Sequence, residues 1–430
     1  MTLRTTPAFL VILTCLSLTV PVPAHGESAR WPAWRGPDST GIAPVGNPPI
    51  TWSETENIAW KTALPGEGQS TPVIWDDRLF LQTAEIVGEA TEGEKHPQYR
   101  FSILCLDRNR GEILWQRSVR EARPHEGHHK STTVAPFSPV TDGEKIWASF
   151  GSLGLFCLSM DGEILWEAAT IQMNKVGPFG EGSSPVLVGD SIIVLADHEG
   201  QSKLFAFDKM TGNKRWERDR DVESSWGTPL AIKVGDHTEI ITTAPGTVRS
   251  YDVATGKLIW ESGGITSCAS PSPVAHDGLV YCTTGYKGEA VIAIELGHEG
   301  DLTGTDAIRW HTDATGSEVS TPLIYKNRLY VFKSIAAVLS CFDATTGAPL
   351  FERTRIPGMK HVYASPLAAG NHIYINGREG TTVVLRPADT FEIVASNTLD
   401  EVLDASPVAI GDTLYLRGRH HMYSIKTPTN

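Results

Sequence analysis

Positive charge is in short supply in this chain: 37 Lys and Arg stand against 50 Asp and Glu, a formal net charge of −13 over 430 residues. Nucleic acid and anionic membrane surfaces demand a clustered basic face, so the balance argues against both and favours solubility, a cationic partner or metal ions. Cysteine is scarce too, with six residues, none adjacent to another and none in Cys-x-x-Cys spacing. That removes the basis for a zinc or dithiol redox motif. No apolar run reaches the ~20 residues a membrane-spanning helix needs. Helical periodicity is missing over any useful window, and 40 Gly and 27 Pro punctuate the chain, which argues against helices. P-loop, dinucleotide-glycine and nucleophile-elbow patterns are absent as well.

In their place stands a repeated motif. Tyr251-Asp-Val-Ala-Thr-Gly-Lys-Leu-Ile-Trp260 reads as a strand ending at Asp252, a tight turn closed by Gly256, and a second strand ending in a buried aromatic. Gly serves the turn because it tolerates φ > 0. Further copies end at Trp115, Trp216 and Phe351, and a weaker one at Trp166. A second marker, Ser/Thr-Pro-Val/Leu, occurs eight times, centred on Pro72, Pro139, Pro185, Pro229, Pro273, Pro322, Pro366 and Pro407. After a first gap that holds an insertion, Glu85 to Gln98, these prolines recur every 41 to 49 residues. Pro is tolerated at the first residue of a strand, so the marker reads as a strand start. Self-similarity at such a period decides the fold. Eight units of four short antiparallel strands make an all-β, eight-bladed β-propeller, which hides its sheet edges by radial repetition. The last unit ends near Ile425 one strand short, and the missing outer strand is found at the front, Asn57-Ile-Ala-Trp-Lys61. An N-terminal strand is therefore expected to close the ring.

Three segments result: residues 1–24, 25–56 and 57–427. In the first, Arg4, the apolar run Phe9 to Val20 and the small residues before Ala24 read as a secretory signal peptide. Export to the periplasm or extracellular space is expected, with no transmembrane segment in the mature chain. The second carries Trp31-Pro-Ala-Trp-Arg-Gly-Pro37 and is expected to fold across the propeller, burying both indoles. Cys105, Cys157 and Cys341 share one repeat slot, where other units have Ala206, Ser250, Ala293 and Ser424; the slot reads as a small buried position. Whether Cys268 and Cys282 pair is open.

Chemistry is sought where loops converge on one face of the ring, around its funnel. Reading back from each proline gives Glu67, Glu181, Trp226, Glu318, Tyr363 and Asp404, a polar and mostly acidic ring with two stacking surfaces. It suits a cation, a sugar or a basic peptide. Arg417, on the last blade, joins it as a salt-bridge or anion-binding candidate. A separate cluster, His125, Glu126, His128 and His129, offers ligands for a divalent metal, against the plainer reading of a solvated loop.

The pattern Asp-x-x-Thr-Gly-x-x-x-Trp following Ser-Pro-Val resembles the pyrroloquinoline-quinone (PQQ) repeat over nearly the whole mature chain. That repeat marks propellers of the quinoprotein alcohol dehydrogenase type. It also builds the scaffold lipoprotein of the outer-membrane β-barrel assembly machine. The arm and the blade-one loop resemble exported PQQ-like repeat proteins of planctomycete-type bacteria. The dehydrogenases of this family hold PQQ against a Trp and a disulfide of adjacent cysteines, with Ca²⁺ bound through Glu, Asn and Asp. Here Trp226 and Glu181 are the residues available for those roles, and no two cysteines are adjacent. The resulting expectation is an exported, monomeric, non-catalytic binding scaffold without a cofactor, engaging an envelope protein or a carbohydrate through its funnel. The alternatives are a PQQ- and calcium-dependent dehydrogenase, or a metal-assisted hydrolase or lyase at His125, Glu126, His128 and His129.

Overall fold

Eight sheets follow one another around a ring, each built from four antiparallel strands laid from the central channel outward. Blade one, for example, runs Val73–Trp75, Arg78–Gly88, Gln98–Asp107 and Ile113–Ala122. Every one of the eight Pro markers stands immediately before an innermost strand. The chain is shown by a computed structural model that describes residues 1–2, 30–177, 179–267 and 269–428. The apolar run and cleavage site expected for export lie outside the described residues, as does Cys268.

The ring closes as the sequence implies. Val408–Ile410, Thr413–Arg417 and His421–Ile425 supply three strands of blade eight, and Ile58–Ala63 pairs antiparallel with His421–Ile425 as the fourth. Trp60 then stands opposite Ser424, the same relation that Trp115 has to Cys105, Trp216 to Ala206, Trp260 to Ser250 and Phe351 to Cys341. The small repeat slot is thus explained. A larger residue there would collide with the aromatic directly across the ladder. Trp310, which the repeat pattern does not flag, holds the same place opposite Ala293 in blade five.

These tryptophans join neighbouring blades. The indole N–H of Trp60 donates to Arg108 O (2.9 Å), that of Trp115 to Met160 O (3.1 Å), that of Trp216 to Val253 O (3.0 Å), and that of Trp310 to Ala344 O (2.9 Å). Each acceptor belongs to the turn of the next blade. Blade four departs from the rule: Trp260 donates instead to the buried Glu239 Oε2 (2.9 Å). An insertion, Gly300–Asp301, pairs in parallel along its strand, and Leu302 packs beside the indole.

Around the channel runs a second closure. The backbone N–H of each marker Ser or Thr donates to the hydroxyl of the next blade's marker, from Thr71 to Ser138 and onward until Ser406 donates back to Thr71, at 2.8 to 3.3 Å. Eight buried N–H groups that no strand partner can reach are satisfied this way. The insertion in blade one is more ordered than a loop. Its start, Glu85 to Gly88, stays on the ladder opposite Arg100 to Gln98, so it extends a hairpin.

The arm does more than lie across a groove. Arg30–Trp31 adds to the innermost strand of blade one, and Thr141 N of blade two donates to Pro32 O (2.9 Å). The chain then crosses the channel, and Ile42 bridges Ala368 of blade seven. Arg35, 3% exposed, gives its guanidinium N–H groups to Pro366 O, Pro322 O and Thr40 O at 2.8 to 2.9 Å. Trp31 is fully buried, but Trp34 is only half-buried. It lines the channel on both sides of the crossing, so only one of the two indoles is buried as expected.

Candidate functional site

On the face where the Pro-preceding loops converge, the channel opens into a cavity of about 420 Å³. Trp34 forms part of its floor, and the eight marker hydroxyls line its waist. Of the residues expected to line it, the fold brings together Glu181, Trp226, Glu318, Tyr363 and Asp404. Glu67 and Arg417 are placed elsewhere. Glu67 pairs through its backbone with Ala84, and its half-exposed carboxylate stands 4.0 Å from Arg419. Arg417 is buried between blades eight and one, donating to Ser70 O (3.0 Å), with Nε and Nη2 unpartnered. Burial without a nearby carboxylate pulls its guanidinium down to about 9.

The expected acidic ring is turned to internal use. Glu181 accepts from Ser152 N (2.7 Å) and from the Ser152 hydroxyl. Glu318 accepts from Ser334 N at 2.6 Å. Burial pushes both carboxyls above their ordinary range, against those hydrogen bonds. Asp404 Oδ2 accepts from Gln69 Nε2 and Arg378 Nη1, both at 2.9 Å, while Oδ1 has no partner. Burial raises Asp404 to about 6, although the Arg378 cation pulls the other way. Arg378 also lies over the Tyr363 ring at 5.4 Å. Gln69 Oε1 accepts from Thr132 Oγ1 (2.8 Å), which ties the funnel wall from blade seven round to blade two.

What faces the opening is largely aromatic and aliphatic. Trp226 is fixed by its indole N–H on Gly180 O (2.6 Å) and meets Phe179 edge-to-face. His129 packs on the other side of Phe179 at 5.8 Å. Opposite them, Tyr286, Val319 and Ile335 are 42, 39 and 53% exposed, and Phe179 is 37% exposed. Sequence reasoning missed these four. Phe179 and Val319 sit in the entering loops but were passed over for the acids nearby. Tyr286 and Ile335 come from connections between second and third strands, which open on the same face.

The His-rich segment splits. His125, Glu126 and Glu181 converge, whereas His128 Nδ1 is engaged with His129 O (3.1 Å) and His129 Nδ1 with Ser131 Oγ (2.6 Å). Cys105, Cys157 and Cys341 are buried and free, and burial pushes each thiol up to about 12. Reactive thiols need a lowered value, so these three act as small core residues.

Fold and repeat chemistry together define a PQQ-repeat propeller whose funnel is floored by an N-terminal arm. A family model described as outer membrane protein assembly factor BamB matches residues 46–200, 99–306 and 244–401, and the chain belongs to that family. The factor BamB of Burkholderia pseudomallei (strain K96243) is 23% identical over 324 residues, covering 73% of this chain and 76% of that protein. A polyvinylalcohol dehydrogenase of Sphingopyxis sp. (strain 113P3) is 28% identical over 204 residues, 41% of this chain and 28% of that one. BamB from Moraxella catarrhalis superposes with a TM-score of 0.59 at 16% identity, over 86% of this chain and 99% of that chain. A europium-containing methanol dehydrogenase superposes with a TM-score of 0.62 at 10% identity, over 93% of this chain and 98% of that chain. At such identities the structural likeness is one of fold. No helix among the described residues is long and apolar enough to cross a membrane.

Proposed function

We propose that this protein is an exported, non-catalytic binding scaffold that engages a protein or carbohydrate partner through its funnel, from the periplasm or the extracellular space. One observation carries the reading. The funnel's carboxylates are held by its own loops, and the side chains left facing outward are Phe179, Trp226, Tyr286, Val319 and Ile335. An exposed apolar cluster rimmed by polar residues is the usual mark of a binding surface, and the aliphatic share favours a polypeptide over a sugar. The family's protein member, an assembly factor by name, agrees with a protein partner.

The likeness to polyvinylalcohol and methanol dehydrogenases raises the quinoprotein alternative. The residues present do not fit that group. PQQ is a planar tricarboxylate, and the acidic and imidazole side chains on the lining, among the described residues, are Glu181, Glu318, Asp404 and His129. Glu181 and Glu318 already accept hydrogen bonds from Ser152 and Ser334, and no two cysteines are adjacent to stack on it. No reaction step is assigned through it.

A photo-crosslinking residue placed at Ile335 in the native envelope tests the proposal. A polypeptide adduct is expected that disappears when Trp226→Ala is added, and none is expected from a probe at Met210 on the outer turn of blade three. Binding to a glycan panel without any adduct would make the partner a carbohydrate. Equal adducts at both positions, or a melting-temperature rise with PQQ and Ca²⁺ together, would sink the scaffold reading.

A further inference from the structure

Behind the funnel wall, the segment between blades one and two meets the loop entering blade three. One ring nitrogen of His125 and one carboxylate oxygen each of Glu126 and Glu181 lie within 4.8 Å of one another there. They border a small cavity of about 50 Å³, enough for an ion and a water.

Each of these side chains is held by a hydrogen bond with its surroundings. Met173 O lies 2.6 Å from His125 Nε2. A carbonyl oxygen only accepts, so Nε2 carries the proton and the free lone pair is at Nδ1. Met173 N donates in turn to Ser152 Oγ (2.8 Å), and Ser152 supplies both Glu181 oxygens with a donor. Lys175 N donates to Glu126 Oε2 (2.9 Å), while Glu126 Oε1 is buried and has no partner. A histidine whose ring N–H is held by a backbone carbonyl, beside carboxylates hydrogen-bonded from behind, is the outer pattern of protein metal sites.

We propose that His125, Glu126 and Glu181 bind one divalent transition ion, Zn²⁺ or Mn²⁺. The two carboxylates match the charge of the ion, and a mixed imidazole and carboxylate set suits these metals better than Ca²⁺. Three protein ligands leave a position for water from the cavity. His128 and His129 stay outside the site, because their ring nitrogens do not converge with these three side chains. The bound ion fastens the segment that delivers His129, Ser131 and Thr132 to the funnel wall. The competing source of positive charge is Lys175, whose ammonium donates to Asp197 O (2.6 Å) and Ser225 O (2.7 Å) and lies near both carboxylates.

Calorimetric titration of the chelator-stripped full chain with ZnCl₂, MnCl₂ and CaCl₂ tests this. One Zn²⁺ or Mn²⁺ per chain is expected, with Ca²⁺ at least tenfold weaker. Glu126→Gln is expected to weaken binding at least tenfold. So is His125→Ala, at an exposed position. His128→Ala is expected to bind as the wild type does. Absence of one-to-one binding by the wild type would leave Lys175 as the sole counter-charge and overturn the site, as would full affinity in both variants or its loss in His128→Ala.

Discussion

At Asp404, a funnel carboxylate is kept where its charge is disfavoured. Burial lifts it to about 6, whereas an unfolded Asp titrates near ~3.9. The folded state therefore holds the proton more tightly. The stability this contributes is fully present below about pH 4 and is lost as pH rises through about 6. Denaturant unfolding of the wild type, compared with Asp404→Asn, should show a relative loss of about 2 kcal/mol between those limits. Parallel pH profiles for the two proteins would show that Asp404 does not titrate in this window. The position of Asp404 on the funnel was legible from its distance to Pro407. Its environment was not, because Gln69 and Arg378 lie 335 and 26 residues away along the chain. The same holds for Arg417, expected beside the acidic ring as a salt-bridge or anion-binding candidate. The fold instead buries it against Ser70.

The repeat turn shows how an element is specified twice, once locally and once by its neighbour. Asp208 Oδ1 accepts from Met210 N, Thr211 N and Thr211 Oγ1 at 2.9 to 3.0 Å, the Asx-type closure that such turns use. Arg215, hydrogen-bonded to the same carboxylate, helps pull it down to about 2. Asp252 and Asp343 hold Thr255 and Thr346 in the same way. Gly212 then takes φ 72° beneath the Trp166 ring of the preceding blade. A Cβ there would stand 2.6 Å from the ring, whereas one at Gly235, φ 55°, would meet nothing within 4 Å. Both substitutions carry the left-handed backbone cost of roughly 1 kcal/mol, but only one also collides. Gly212→Ala is expected to destabilise by about 2 kcal/mol more than Gly235→Ala in urea unfolding. Equal losses would mean that the turn, and not the indole, dictates the glycine. The turn itself was readable in the sequence. That its glycine serves the tryptophan of another blade was not, since the two lie 46 residues apart.

Across the whole molecule, stability rests on closure. Blade eight is completed by a strand from the front of the chain, and the eight marker hydroxyls form an unbroken hydrogen-bonded circle around the channel. Thr321→Val keeps the shape but removes the acceptor for Ser272 N, leaving a buried donor unsatisfied. A loss of about 1–3 kcal/mol is expected, read as a lower urea midpoint with an unchanged slope. A neutral outcome would show that water replaces the hydroxyl and that the circle contributes little. The arm adds a third tie, because it leaves blade one and reaches blade seven across the channel. It also gives the funnel its floor, through Trp34.

The sequence by itself determined the all-β repeat, the eight blades, the strand that closes them and the face on which the loops gather. Those follow from local patterns repeated at a fixed period, and repetition amplifies a weak local signal until little else fits. Tertiary structure alone decided what the funnel presents. Glu181 and Glu318 looked like free ligands because a carboxylate in a loop is usually solvated. Instead the neighbouring blade brought Ser152 N–H to Glu181, a connection within blade six brought Ser334 N–H to Glu318, and Phe179, Tyr286, Val319 and Ile335 were turned outward. Pairing of His125 and Glu126 with Glu181, rather than with His128 and His129, was decided in the same way. Which donors reach a side chain depends on distances between chain-distant loops, and no local spacing encodes them.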